Sequence, residues 1–170
     1  MTFPPANPLV RALATGEPNS CAQLYDRLGL SLLRVARVML YASGDAEDAV
    51  QDVFVQIASQ RDRLSQVRDL DAYVFSMLRY TVQRRLRRQG NEQHHLRQLA
   101  RVGPREQCPG ASNDLDEALK SLPAEQREVI ALKIDGELTF AQIGDILNVS
   151  PNTAASRYRY ALEKLRRVLE

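Results

Sequence analysis

Two helix-start signals eleven residues apart, near the end of the chain, leave it little freedom in how that end can fold. Thr139 stands three residues before Gln142, the spacing of a capping box. Ser150 is followed by Pro151, an N-cap with proline at the first helical position, where its missing N–H costs nothing. Between them Phe140, Ile143, Ile146 and Leu147 recur at the spacing of one buried helical face, and Asn148 and Val149 are left for the turn. Leu138 to Leu147 and Ser150 to Leu169 therefore read as a short and a long helix joined tightly, a helix-turn-helix. In the longer one Tyr158, Ala161, Leu162, Leu165 and Leu169 form the apolar stripe. Asn152, Ala155, Ser156 and Arg159 lie opposite, flanked by Thr153, Arg157 and Tyr160. Small, polar and basic residues at the exposed start of a second helix suit entry into a DNA major groove, with Arg for guanine edges and Asn for adenine. A helical hairpin with a solvated face would carry the same pattern, and composition does not separate the two.

At 170 residues the chain holds one ordinary domain or two small ones. No segment approaches the ~18 uninterrupted apolar residues of a membrane span. Met1 to Pro8 lacks both the basic start and the apolar core of a secretory signal, which leads to the expectation of a cytoplasmic protein. Cys21 and Cys108 are too few and too far apart for a disulfide framework, and Cys21 reads as a small core residue.

Net charge is only +2, but its distribution is uneven. Arg61 to Arg105 carries eleven Arg against four acids, whereas Asp114 to Glu137 carries seven acids against three bases, and the final helix is basic again. Adjacent blocks of opposite sign suggest two differently charged partners or one composite partner.

Helical patterns run Pro8 to Thr15, Ser20 to Tyr41, Ala46 to Ser59 and Asp71 to Arg88, then Asp114 to Ser121, Pro123 to Ile134, Thr139 to Leu147 and Pro151 to Leu169. No segment reads as a strand. Gly90, Gly103, Pro104, Pro109 and Gly110 punctuate a polar stretch from Gln89 to Asn113, which reads as a connector with a short helical piece near Leu96 to Val102. The fold class expected is all-α: two small helical domains, 1–88 and 114–170, joined by a flexible linker at 89–113. Each lobe is near the lower size limit for an independent core, so partner binding is expected to add to stability.

Two surfaces of the first lobe stand out. In the third helix Asp45 reads as a cap and Val50, Val53, Phe54 and Ile57 as the buried stripe, with Asp48 and Asp52 outward one turn apart. Carboxylates in a first turn stabilise a helix by ~0.3 to 1 kcal/mol each. That accounts for Asp45, Glu47 and Asp48 without a partner but covers Asp52 poorly. In the fourth helix Arg79, Arg84, Arg85, Arg87 and Arg88 surround more than one face, with Tyr73, Phe75 and Tyr80 interleaved. Such aromatics either stack on unpaired bases while the guanidinium groups hold phosphates, or fill the core.

Four motifs, in order and spacing, resemble the extracytoplasmic-function sigma factors of bacterial RNA polymerase. They are Asp45 to Phe54, Arg68 to Phe75, Leu122 to Ile130 and the hairpin from Leu138 to Leu169. The resemblance covers roughly residues 20 to 169. It implies a two-domain initiation factor whose first lobe binds the β′ clamp helices of core polymerase and the minus-10 promoter element, and whose second binds the minus-35 element and the β flap. It places Asp45, Glu47, Asp48, Gln51 and Asp52 in the polymerase-binding segment. Tyr73, Arg79, Tyr80, Arg84, Arg85, Arg87 and Arg88 fall in the minus-10 segment. Asn152, Thr153, Ala155, Ser156, Arg157, Arg159 and Tyr160 fall in the minus-35 recognition helix. An anti-sigma factor is the further partner implied.

The chain departs from the family pattern at Tyr73, Tyr80 and Ala155, where many members have Trp, Asn and a basic residue, so the family's usual promoter sequence is not carried over. Tyr80 could stack on an extruded base, and Ala155 could touch a thymine methyl. An enzyme finds no support: His94, His95 and Cys108 lack zinc-site spacing, no glycine-rich phosphate loop precedes a helix, and no nucleophile is paired with a base. No cofactor and no metal are expected. The other reading is a free-standing helix-turn-helix regulator that binds DNA alone, as a dimer on two half-sites.

Overall fold

The computed structural model describes residues 7–40, 43–99 and 114–170, with backbone alone for 43 and 91–99. The described residues form nine α-helices and no strand. The first lobe contains α1 (Pro8–Thr15), α2 (Ser20–Leu40), α3 (Ser43–Ser59), α4 (Arg61–Leu64) and α5 (Leu70–Leu99). The second contains α6 (Asp114–Lys120), α7 (Ala124–Ile134), α8 (Phe140–Leu147) and α9 (Pro151–Leu169).

Helices α2, α3 and α5 pack on one another, and Leu24, Leu28, Leu32 and Val35 of α2 join Val50, Val53 and Ile57 of α3 and Val74, Phe75, Leu78 and Val82 of α5 in one buried cluster. Each such side chain contributes about 1.5 to 3 kcal/mol by leaving water. An ion pair from Arg27 of α2 to Asp71 ties the start of α5 to the same bundle. In the second lobe α6, α7 and α8 all pack on α9. Ala118, Leu122, Ile130, Ala161 and Leu165 make a small cluster there. The other apolar side of this lobe, with Val129, Leu132, Leu138, Ile143, Ile146, Leu147 and Ala154, is continuous with the core of the first lobe. Helix α7 packs on α2 and α8 on α5. The two lobes, expected as two small helical domains joined by a flexible linker, pack against each other through these contacts.

Boundaries moved in three places. Helix α3 begins at Ser43, so Asp45 lies within its first turn and does not cap it, while Glu47 and Asp48 fall beyond that turn. The single turn α4 was not anticipated; four residues are too few to show a period. Helix α5 continues eleven residues past Arg88, through Gly90. A Cβ at Gly90 would meet nothing within 4 Å, so this glycine marks no close approach, and a lone interior glycine costs a helix only about 1 kcal/mol. The Gln89 side chain donates to Asp45 Oδ2 at 2.8 Å, which binds this stretch of α5 to α3. The part of the expected connector from 100 to 113, with Cys108, lies outside the described residues, as do the His94 and His95 side chains.

Asp135, half-buried at the C-terminal end of α7, is held above the ordinary carboxylate pKa because burial strips water from its charge, with the nearby Arg34 of α2 pulling the other way. A carboxylate at a helix C-terminus also opposes the helix dipole. A fold that raises a carboxyl pKa is penalised when the group is ionised and recovers that penalty as pH falls through the raised value. Asp135→Asn is therefore expected to raise the melting temperature at neutral pH, with the gain shrinking in acid. A lower melting temperature at neutral pH would show that attraction to Arg34 outweighs the desolvation.

Candidate nucleic-acid interface

The helix-turn-helix forms as its local chemistry dictates. Thr139 Oγ1 accepts from the Gln142 backbone N–H at 3.2 Å and the Gln142 side chain accepts from Thr139 N at 2.9 Å, closing the capping box. Asn148 takes the left-handed conformation at φ 55°, and Ser150 Oγ accepts from Thr153 N at 3.0 Å to start α9. A Cβ at Gly144 would lie 2.7 Å from the Val149 carbonyl oxygen, so a glycine is required where the turn folds back on α8. The angle between the two helices is thus set by side chains adjacent in sequence.

Along α9, Asn152, Thr153, Arg159 and Tyr160 are exposed, while Ala155, Ser156 and Arg157 are half-buried. The Arg159 guanidinium sits 5.7 Å from the centre of the Tyr160 ring. Arg157 turns toward α7, where it pairs with Glu125 at 2.9 Å. Ala154, Ala161 and Leu165 form the buried stripe, with Tyr158 packed edge-on to Phe140. Leu162 and Leu169, expected in that stripe, are exposed, because α6 and α7 cover only the narrower Ala161 and Leu165 side.

The aromatics of α5 separate. Phe75 is fully buried, Tyr73 is half-buried against the core, and Tyr80 is 59% exposed. Packing therefore does not account for Tyr80. Arg84 and Arg87 lie one and two turns further along its side of the helix, and both are exposed, as is Arg88. Arg79 and Arg85 are instead held by carboxylates. Arg79 pairs with Glu128 of the second lobe at 2.7 Å, and Arg85 with Asp52 of α3 at 2.6 Å. The Arg85 Nε is buried without a hydrogen-bond partner, so one Asp52 oxygen satisfies only part of this guanidinium. Asp52, Arg84, Arg85, Arg88 and Gln89 line an open notch of about 180 Å³.

On α3 the outward strip is Glu47, Asp48, Gln51 and Val55. Asp52, expected to share it with Asp48, is engaged with Arg85 of α5; Asp45, which the resemblance places in the same polymerase-binding segment, is engaged with Gln89; and Glu47 is 3.5 Å from Arg37. Two apolar members of this surface escaped the sequence reading. Val55 is 67% exposed, and Tyr25 of α2, 58% exposed, has its ring 5.2 Å from that of Phe54. Val55 stands one turn beyond Gln51, so its spacing held the signal; Tyr25 depends on how α2 and α3 pair and gave none.

A helix-turn-helix with a polar outward face on its second helix, packed on a helical lobe bearing one acidic and one aromatic-basic surface, has the layout of a helix-turn-helix DNA-binding protein. Residues 24–92 match Sigma-70 region 2, and residues 118–167 match Sigma-70, region 4. The chain is 30% identical over 151 residues to the ECF RNA polymerase sigma factor SigF of Caulobacter vibrioides, covering 82% of each. Among solved structures it resembles the sigma factor RpoE of Bartonella quintana, crystallised with the anti-sigma factor NepR. The TM-score is 0.69 and identity 26%, over 86% of this chain and 96% of that one. It also resembles CnrH in complex with the cytosolic domain of CnrY, with TM-score 0.71 and identity 26% over 95% and 94% of the two chains. The chain belongs to the extracytoplasmic-function RNA polymerase sigma factors, the transcription initiation factors that direct core polymerase to promoters.

Proposed function

We propose that this sigma factor divides promoter recognition between its lobes, with residues 1–88 serving polymerase and the minus-10 element, 114–170 serving the minus-35 element, and 89–113 connecting them. The observation that carries this reading is the outward placement of Tyr80, Arg84 and Arg87 on α5 in the same chain as the polar face of α9. Asp48 and Gln51, with Val55 and Tyr25 beside them, offer a half-apolar, half-polar face with one carboxylate to the β′ clamp helices. Aromatic and aliphatic anchors within a polar surround are the usual composition of a strong interface. Tyr80 supplies a stacking surface for an unpaired base and the exposed Arg side chains hold the strand's phosphates. Asn152, Ser156 and Arg159 read base edges, Ala155 a thymine methyl, and Thr153 and Tyr160 the neighbouring backbone, joined by Arg157 when it leaves Glu125.

The second lobe also meets the β flap, and an anti-sigma factor restrains the whole, by analogy with the complexes of RpoE and CnrH. No described helix is long and apolar enough to cross a membrane, and a cytoplasmic location follows from the partners proposed. The chain contributes binding energy and DNA opening, and chemistry belongs to the polymerase.

Transcription by core polymerase plus this protein from a set of promoter variants tests the assignment. Arg159→Ala is expected to cost about 1 to 3 kcal/mol and to relax preference at one upstream position. An unchanged specificity profile would remove Arg159 from the recognition role.

A further inference from the structure

The acidic block at Asp114 to Glu137 is left without a use by the surfaces above. Its α7 lies on the first lobe, and three of its members face Arg side chains. Glu125 pairs with Arg157 within the second lobe, Asp135 lies near Arg34, and Glu128 meets Arg79. The last two cross between lobes. We propose that the Arg79 and Glu128 pair is a latch that holds the lobes closed and occupies a cation the promoter strand would otherwise take. This rests on the reading of α5 as the surface for the separated strand.

Arg79 Nε donates to Glu128 Oε1 at 2.7 Å and Nη2 to Oε2 at 3.5 Å, so the carboxylate is held by two N–H donors along one edge of the guanidinium. The side chains retain 24% and 13% of their exposure, the least open pair of charges among the ion pairs described. A carboxylate and a DNA phosphate ask the same planar donors of an arginine, so Glu128 and a phosphate compete for one guanidinium. Arg79 precedes Tyr80 directly, which puts the latch beside the stacking surface.

A second link makes closure specific in angle. Gln142 Nε2 donates to Asp69 Oδ2 at 2.8 Å. Each partner is already fixed by its own helix, since Gln142 Oε1 closes the α8 capping box and Asp69 Oδ1 accepts from Ala72 N at 3.0 Å. Two helix starts are thereby joined cap to cap. The continuous apolar cluster beneath supplies affinity without direction, and the two polar links select this one relative placement. Opening must give up both before Arg79 reaches a nucleic acid.

The test compares the full chain with Glu128→Gln, with the exchange Arg79→Glu plus Glu128→Arg, and with Glu163→Gln as a control of equal charge change on exposed α9. Small-angle X-ray scattering reads closure, against a radius of gyration of about 15 Å for a fully compact chain of this length. Retention of a labelled random single-stranded oligonucleotide reads access to α5. Glu128→Gln is expected to enlarge the radius of gyration and to tighten oligonucleotide binding about tenfold, within the usual range of coupling between sites. The exchange variant is expected to return to the closed dimensions, and Glu163→Gln to match the parent. Unchanged scattering for Glu128→Gln, with helical content retained, would overturn the latch. Expansion with binding no tighter than that of Glu163→Gln would overturn the occupation of Arg79. Failure of the proposed promoter assignments would register separately, as transcription indifferent to Arg159 and Tyr80 whatever the scattering.

Discussion

Tyr80→Ala is expected to leave thermal stability and core-polymerase binding near those of the parent, and to lower open-complex formation on duplex promoters by about five- to a hundredfold. The size follows from the ~1 to 3 kcal/mol that one aromatic ring contributes by stacking on an unpaired base. The stability expectation follows from exposure: substitutions at a surface site without special contacts stay within about 0.5 kcal/mol, whereas a buried aromatic would cost about 3 to 5. A template with a pre-melted bubble should recover activity only in part, because the strand is then separated but still lacks its platform. Permanganate footprinting of the melted region together with thermal melts reads both arms. A large fall in melting temperature with no defect specific to opening would assign Tyr80 to packing.

Asp48→Lys is expected to reduce association with core polymerase at least about tenfold, since a like charge set against a basic partner surface costs several kcal/mol. Helical content should not change. Asp48 lies beyond the first turn of α3, so the helix dipole that would otherwise explain a carboxylate there acts on it weakly. Asp52→Lys is the less informative change: Asp52 holds Arg85, and reversing its charge would set two cations together between α3 and α5. Pull-down of core polymerase by the Asp48→Lys protein with parental recovery would remove this face from the interface.

The second-lobe hairpin was legible in detail because its signals are local. A capping box and a Ser-Pro helix start involve residues three or fewer apart, and nothing distant competes with them at Thr139 or Ser150. The same reasoning fails where a partner lies far along the chain. Asp45 reads as a local helix cap and Asp52, Arg79 and Arg85 as outward charges, yet each is bound by a residue at least 33 positions away. Periodicity assigns a side chain to a face of its helix and says nothing about what lies across that face. Tyr73, Phe75 and Tyr80 show the same limit, since three aromatics in one arginine-rich helix take three levels of burial according to how α2 and α3 pack around them. Gly90 differs for another reason: a glycine reads as punctuation in a polar stretch, whereas the extended α5 tolerates it as a small loss of propensity.

The extension of α5 to Leu99 also sets the length of the leash between the lobes. Residues 100 to 113 are the whole covalent span from the end of α5 to the start of α6. At ~3.3 to 3.6 Å per residue, that span reaches at most about 50 Å. A tether so short keeps a parted lobe in the millimolar range of effective concentration about its old seat. On the proposed latch, separation is then never dilution, and re-closure needs only that the competitor leave. A single tethered ion pair such as the proposed Arg79 and Glu128 latch is then enough to bias which state this chain occupies.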